Sequence, residues 1–307
     1  MESRQLRYFA AVCTYRNLSH AADHCGVAQS ALSHHVNNLE TELGTRLFVR
    51  KPRGMEPTAA GLRLFGHARS ILDALDDAAE DVKTGQLEIG GEISVGMPYS
   101  VIQHIGAGLM RATLADYPRV RLLLTESLSG ILFDGLLKNT VDFTLAYNPP
   151  SDQNAVREVL VEEPVYCIGT EALMGGSDAP ITFEEVLRLP LVLLKSGALS
   201  RSQTDKPHVL NRLEERAQLQ LASVAATLCA LETGIGCTLA PRVMVKIQLE
   251  RNQLRARRVV DPDLTRTLYM VSRADDPLTV LREEMMALVR RLVKDTVAAG
   301  NWDVVGV

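Results

Sequence analysis

Tryptophan, cysteine and long apolar runs are all scarce in this chain, and each scarcity removes a class of protein. There is one Trp, and the five Cys (13, 25, 167, 229 and 237) are odd in number, scattered and nowhere spaced as CxxC. Neither a disulfide framework nor a zinc ribbon can be read from them, and a reducing, cytoplasmic setting is the simplest expectation. No stretch approaches ~18 consecutive apolar residues, so no helical membrane span is expected. The opening MESRQLRYFAAV lacks an apolar core followed by a small-residue cleavage site, so no secretory signal is expected. A strong charge of either sign is missing too: the net is −4 over 307 residues. Nucleic acid, if bound, must therefore be met by a local patch rather than by the whole chain. HExxH, GxSxG, Walker A and GxGxxG signatures are absent in any usable context, and the histidines of the larger C-terminal part, His104 and His208, have no neighbouring Cys or Ser partner. The expectation is no enzyme, no catalytic residues and no metal. What remains is a chain with 46% hydrophobic residues, the fraction of a globular protein, and long enough for two or three domains.

The first segment is the most informative. Leu6, Phe9 and Val12 fall at helical spacing, and the pattern breaks at Arg16-Asn17. Ser19 reads as the N-cap of a short alanine-rich helix to Cys25, ended by Gly26. A second helix runs from about Gln29 to Leu43, with Leu32, Val36, Leu39 and Leu43 as its buried stripe. Two short helices joined by a glycine turn make a helix-turn-helix, whose second helix lies in the DNA major groove. Opposite the stripe lie Ser30, His34, Asn37 and Thr41, with Gln29 and Ser33 on one flank and Asn38 and His35 on the other. Hydroxyls, amides and imidazole are groups that bond base edges and phosphates. After Gly44, the run TRLFVRKPRGMEPTAAG reads as a small β-wing that carries Arg46, Arg50, Lys51 and Arg53 to the phosphate backbone. From Met1 to Arg53 there are seven Lys/Arg against four Asp/Glu, a net of +3 within a chain of −4. The positive charge is thus concentrated where the helix-turn-helix lies.

Thr58 reads as the N-cap of a long helix that runs to about Thr84. Leu64, Ala68, Ile71, Leu75, Ala78 and Val82 step by 4, 3, 4, 3 and 4, an a/d seam that asks for a partner. Pairing with a second copy is the expectation, since a dimer lets two helix-turn-helix units meet two half-sites.

From residue 88 strand-like and helical runs alternate: GGEISVGM, VRLLLTES, GILFDGLLKN and VDFTLAY, then VEEPVYCIG, LPLVLLKS, AQLQLAS and GIGCTLAP. This succession implies parallel sheet in two α/β subdomains, with RTLYMVSRADDP and a last helix from Leu278 to about Val297 returning to the first. Ligands in such sheets settle at strand C-terminal ends, near helix N-termini. The residues placed there are Ser100 and Val101 after GGEISVGM, Ser129 after VRLLLTES, Tyr147 at the end of VDFTLAY, Ser196 and Ser200 after LPLVLL, and Thr238 in GIGCTLAP. Hydroxyls at helix starts suit a small anion such as a carboxylate, although ordinary N-capping uses the same residue types.

The stretch NLSHAADHCGVAQSALSHHVNNLETELGTRLFVRKPRGMEPTAAG closely resembles the winged helix-turn-helix of LysR-type transcriptional regulators, with a further likeness to the nitrogen-assimilation-control branch in RGMEPTAAG and HARSIL. The likeness is dense to about residue 69, and length and element order carry it through the rest of the chain. It implies an N-terminal all-α winged helix-turn-helix over 1–57, a linker and dimerisation helix over 58–87, and an effector-binding region over 88–307 similar to type 2 periplasmic binding proteins. That region divides into subdomain I (about 88–160 and 267–307) and subdomain II (about 161–266). It implies a ligand-responsive, sequence-specific regulator in which a small molecule in the inter-subdomain cleft alters DNA binding or bending. Gln29, Ser30 and Ser33 match the family's DNA-contacting positions and Arg50 and Arg53 its wing. His34, Asn37 and Thr58 complete the expected DNA-binding set. Ser100 matches the hydroxyl of the first effector loop. No resident cofactor is implied, only a small-molecule co-inducer. The implied partners are double-stranded promoter DNA, a second copy through the linker helix with a tetramer expected, and RNA polymerase if the protein activates. The stretch KSGALSRSQTDKPH has no cysteine where peroxide-sensing members keep a cysteine pair. Two rivals stand beside this reading. One is an enzyme built on the cleft. The other is a metal sensor built on His20 and His24, at i and i+4 beside Cys25.

Overall fold

The computed structural model describes residues 1–51, 54–84, 89–195, 204, 206–275 and 279–305. Three helices, α1 (Ser3–Tyr15), α2 (Leu18–His24) and α3 (Gln29–Leu43), lead into a hairpin of β1 (Phe48–Lys51) and β2 (Gly54–Pro57) and then into the long helix α4 (Ala59–Thr84). Local chemistry sets the breaks. Arg16 closes α1 in the left-handed region at φ 50°, and Asn17 rather than Ser19 caps α2, accepting from the backbone N–H groups of Ser19 and His20. The amide oxygen of Asn17 reaches two of the orphan donors at that helix start, so the cap falls two residues earlier than expected. Gly44 ends α3 at φ +63°, a conformation that suits a residue without Cβ.

Phe9, Val12, Ala21, Leu32, Leu39 and Leu47 form the core of this first domain, and Ala68 and Leu72 of α4 close it. The expected stripe of α3 holds at Leu32, Val36 and Leu39 and fails at Leu43, which is 40% exposed. Leu43 lies past the edge of the core, and Glu40 takes the inward place instead. The seam of α4 also divides. Ala68 packs into its own domain, whereas Ile71 and Leu75 stay exposed at 40% and 46%. Ala78 and Val82 fall outside the described side chains. Arg7 of α1 pairs with Asp76 of α4 at 2.5 Å, which lays the two helices side by side.

The first α/β subdomain contains β3 (Gly90–Met97), a helix that starts as α5 (Tyr99–Val101), passes through a π-turn at Ile102–Gly106 and continues as α6 (Ala107–Asp116), then β4 (Arg119–Glu126), α7 (Ser129–Leu137) and β5 (Phe143–Tyr147). After β6 (Ala155–Pro164) the chain enters the second subdomain: β7 (Tyr166–Gly169), α8 (Glu171–Met174), β8 (Ile181–Thr182), α9 (Phe183–Val186), β9 (Val192–Leu194), α10 (Pro207–Arg216), β10 (Leu219–Leu221), α11 (Val224–Glu232), β11 (Thr238–Ala240), α12 (Lys246–Glu250) and β12 (Arg255–Val260). It returns through β13 (Thr265–Arg273) and ends in α13 (Val280–Ala298).

The first sheet has the order β4-β3-β5-β13-β6; β3 runs parallel to β4 and β5, and β13 runs antiparallel to β5 and β6. The second has the order β11-β7-β12-β8, and a parallel bridge between Leu191 and Cys237 ties the β10-β9 pair to its edge. The two crossings between subdomains fall after Pro164 and before Thr265, where these residues pair in register. The segment Val161–Pro164, expected in the second subdomain, instead completes β6 of the first sheet, because its ladder with β13 runs to the crossing. Helix α13 packs Met285, Leu288 and Val289 onto the first subdomain's core. Among the described residues no helix is long and apolar enough to cross a membrane.

The base of the hairpin meets α4 at Gly61, where a Cβ would lie 2.2 Å from the Leu47 carbonyl oxygen. Gly61→Ala should therefore force the helix start away from the hairpin and destabilise the N-terminal domain by about 2 kcal/mol. Urea unfolding monitored in that domain checks this; an unchanged midpoint would mean the contact is not tight.

Candidate nucleic-acid interface and ligand cleft

The outward face of α3 presents Gln29, Ser30, His34 and Asn37 to solvent, with Ser33 half-buried at the foot of the groove toward the hairpin. Short bonds order this face. The Ser19 hydroxyl donates to Gln29 Oε1 at 3.2 Å, His34 Nε2 and the Asn38 amide meet at 3.1 Å, and Thr41 Oγ1 donates to the Asn37 carbonyl at 2.9 Å. His35 turns aside to meet Tyr8 edge-on, with 5.2 Å between ring centroids. The adjacent histidines therefore do different things: one is presented outward and the other packs.

Glu40 holds the hairpin against this helix. It is 8% exposed. Its Oε1 accepts from the Leu47 and Phe48 backbone N–H groups at 2.7 and 3.1 Å, and its Oε2 accepts from Arg46 at 2.9 Å. A charge-assisted bond to two main-chain donors fixes where β1 leaves the helix. The resulting groove is lined by Ser33, Asn37 and Thr41 on one side and Arg46, Val49 and Arg50 on the other. Arg53 lies outside the described residues. Thr58 is committed within the protein: its hydroxyl donates to the Arg46 carbonyl at 2.8 Å and accepts from Gly61 N–H at 3.0 Å, so it caps α4. Nothing local in the sequence marks Glu40 for this role, since its partners lie on the next element.

In the other half, three helix starts converge between the subdomains: Tyr99 and Ser100 of α5, Ser129 of α7 and Val224 of α11. The space between them measures about 40 Å³, room for little more than a water or two. The described residues leave too little room there for a metabolite with the subdomains as they stand. Ser100, Ser129 and Tyr147 come together in it, all nearly buried. The Ser129 hydroxyl accepts from Tyr147 N–H at 3.0 Å. Val101 turns instead into the first subdomain's apolar core. Thr238 is 1% exposed, and its hydroxyl has no hydrogen-bond partner among the described residues; the next residues along, Leu239 and Ala240, line the cleft. Ser196 and Ser200 lie outside the described residues.

Arg266, which sequence reasoning missed, is the dominant charged group of the cleft. Its Nη2 donates to Ser100 Oγ at 2.8 Å, its guanidinium lies 3.5 Å over the Tyr147 ring, and its Nε donates to Glu163 Oε1 at 2.6 Å. Glu163, 1% exposed, also accepts from the Trp302 indole at 2.6 Å. Burial pushes the Tyr147 phenol well above its usual range. On the far side of Trp302, His104 stacks at 4.0 Å between centroids and 11° between planes. Burial pulls its pKa down to about 4, with Glu163 opposing the shift and Arg266 reinforcing it. The sole tryptophan was a visible signal in the sequence; Glu163 and Arg266 were not, because only strand register brings them together. Among the described residues no three His, Cys, Asp or Glu side chains converge as a metal site, and His24 of the candidate metal pair has its Nδ1 at 3.1 Å from the Tyr15 hydroxyl.

Comparison with known proteins assigns both halves. Residues 3–62 match the family described as bacterial regulatory helix-turn-helix protein, lysR family, and residues 87–294 match the LysR substrate binding domain. Similar proteins include the nitrogen assimilation regulatory protein nac of Klebsiella aerogenes, 27% identical across 95% of this chain and 96% of that one. A probable hydrogen peroxide-inducible genes activator of Streptomyces viridosporus is 30% identical across 95% of this chain and 94% of its own. In fold the chain is similar to a full-length OxyR variant from Pseudomonas aeruginosa, with TM-score 0.76, 22% identity and coverage of 96% and 95%. It is also similar to full-length CbnR complexed with its target DNA, with TM-score 0.61, 21% identity and coverage of 96% and 100%.

The half-buried imidazole gives a pH signature. The unfolded chain takes up the His104 proton near the ordinary value of about 6.5, while the folded protein resists it until about 4. The stability from this site is thus fully present above pH 6.5 and declines as pH falls toward 4. A His104→Phe variant, which keeps a ring on Trp302, should lose less of its melting temperature across that interval than the wild type. Parallel curves would show that the imidazole does not titrate in this way.

Proposed function

We propose a role for this chain from the premise that it belongs to the LysR family of bacterial helix-turn-helix regulators, whose two domain types account for residues 3–62 and 87–294. It is a LysR-type transcriptional regulator with a DNA-binding helix-turn-helix and an effector-binding region of two subdomains. The observation that carries the finer reading is the polar outer face of α3 beside a hairpin that Glu40 locks in place. In this reading α3 enters the major groove. Ser30, Ser33, His34 and Asn37 read base edges, with Gln29 at the helix start. Arg46 and Arg50, with Arg53, hold the phosphate backbone.

The ligand is a small anion held between the subdomains by Ser100, Ser129 and the converging helix starts, and its binding alters how the protein grips or bends DNA. It is an exchangeable co-inducer and not a catalytic substrate; the protein is a regulator without enzymatic turnover and works in the cytoplasm. Two copies pair through the exposed Ile71 and Leu75 of α4, a tetramer forms from two such pairs, and RNA polymerase is the further partner where the promoter is activated. The peroxide response in the name of the Streptomyces relative is not carried over, because KSGALSRSQTDKPH, residues 195–208, contains no cysteine.

Two measurements test these assignments. On a promoter fragment, Ser33→Ala should weaken the specific site by about 1 kcal/mol and leave random duplex unaffected. Arg50→Ala should weaken every duplex and lower the salt slope by about 0.9 per protomer. Wild-type binding by both variants would move the interface elsewhere. For the cleft, a thermal-shift screen of small carboxylates should find one that stabilises the wild type. Ser100→Ala should lose that shift while still binding DNA; a retained shift would place the ligand outside the cleft.

A further inference from the structure

The second subdomain gathers three sulfur atoms that neither the DNA-binding face nor the cleft uses. Cys167 sits in β7, Cys237 immediately precedes β11, and Met174 is the last residue of α8. All three are inside the core, at 0%, 0% and 4% exposure. The Met174 thioether lies 3.6 Å from Cys167 Sγ and 3.7 Å from Cys237 Sγ, and the two thiols are within hydrogen-bond reach of each other. Strand pairing builds this triangle. Leu239 lies opposite Cys167, so Cys237, two residues earlier, comes opposite Gly169. The missing side chain makes the room: a Cβ on Gly169 would lie 2.5 Å from Cys237 Sγ and 3.2 Å from Met174 Cγ.

We propose that Cys167, Cys237 and Met174 form a three-coordinate site for a soft monovalent cation, Cu(I). With a metal–sulfur bond of about 2.3 Å, a planar three-sulfur set spaces its ligands about 4 Å apart, a few tenths of an ångström wider than the sulfurs stand here. Thiolate and thioether donors select Cu(I), whereas zinc takes four ligands and calcium or magnesium take oxygen. Binding releases the two thiol protons to solvent and transfers no electron. The resulting centre, two thiolates and one monovalent cation, carries one net negative charge. Arg257 stands beside it to offset that charge. It pairs with Cys167 across β12 and β7, and its guanidinium is held by the carbonyl oxygens of Met174, Ala179 and Pro180 at 2.7 to 3.1 Å. Met174 rides on a one-turn helix followed by Gly175 at φ +74° and by Gly176, a short element that can lift to admit the ion.

The test uses the full chain, reduced and oxygen-free, titrated with Cu(I) held by a chromogenic chelator. The expected result is one Cu(I) taken per chain, with an X-ray absorption shell of three sulfurs and no nitrogen or oxygen. Met174→Leu conserves volume and should lower affinity at least tenfold while the protein melts cooperatively. Cys237→Ala should do at least the same, and Cys229→Ala, at an exposed cysteine, should change nothing. Failure of the folded wild type to take Cu(I), retention of full affinity by Met174→Leu, or a shell containing histidine nitrogen would each overturn the proposal and leave the sulfurs as core packing. If Cys237→Ala does not fold, Met174→Leu and the sulfur count still decide. No readout involves DNA or the cleft ligand, so the outcome is independent of the function proposed above.

Discussion

The ligand-binding half depends on one buried ion pair, Glu163 with Arg266. Taking a carboxylate and a guanidinium out of water costs several kcal/mol for each ion, and the pair survives only where further bonds satisfy both. Here they do: Glu163 also accepts from Trp302, and Arg266 also reaches Ser100 and the face of Tyr147. The two residues are direct partners across β6 and β13, next to the points where the chain crosses between subdomains. The pair therefore sits at the pivot of the cleft, and the tail beyond α13 is drawn over it. Val305 N–H donates to the Glu162 carbonyl at 2.8 Å, and Asp303 accepts from Tyr166 of the second subdomain. Because Glu163 compensates the arginine, the pair adds little net charge to the cleft.

A smaller version of the same device organises the DNA-binding half. Glu40 is a buried carboxylate whose cost is offset by two main-chain donors and Arg46. It makes the position of the hairpin a consequence of the position of α3. The cations of the wing are thereby set at a fixed distance from the groove-facing side chains, a geometry that binding two DNA features at once requires. Thr58 extends the chain of contacts from the hairpin's base into the start of α4.

How far the sequence could be read follows from the range of each interaction. Helix α3, its Leu32, Val36 and Leu39 stripe and its outward polar face were legible, since they follow from a 3.6-residue period. Leu43 was not, because whether the last turn is covered depends on where the rest of the core ends. The capping residue Asn17 was missed for Ser19 although both are good caps; the choice rests on which oxygen meets the orphan N–H groups. In the cleft, Ser100, Ser129 and Tyr147 were placed by the rule that ligands lie at strand ends. Val101 turns into the core instead, because neighbouring residues on a helix point about 100° apart.

Periodicity, glycine breaks and the distribution of charge by themselves determined the order of domains, the helix-turn-helix with its polar face, and the succession of α/β elements, because each of these is written within about twenty residues of chain. The tertiary structure alone decided that Glu40 is a buried anchor, that Glu163 and Arg266 meet across two strands, and that Trp302 returns to them from near the end of the chain. Those contacts join residues between six and 139 positions apart. Their energies come from burial and strand register, which no local pattern encodes.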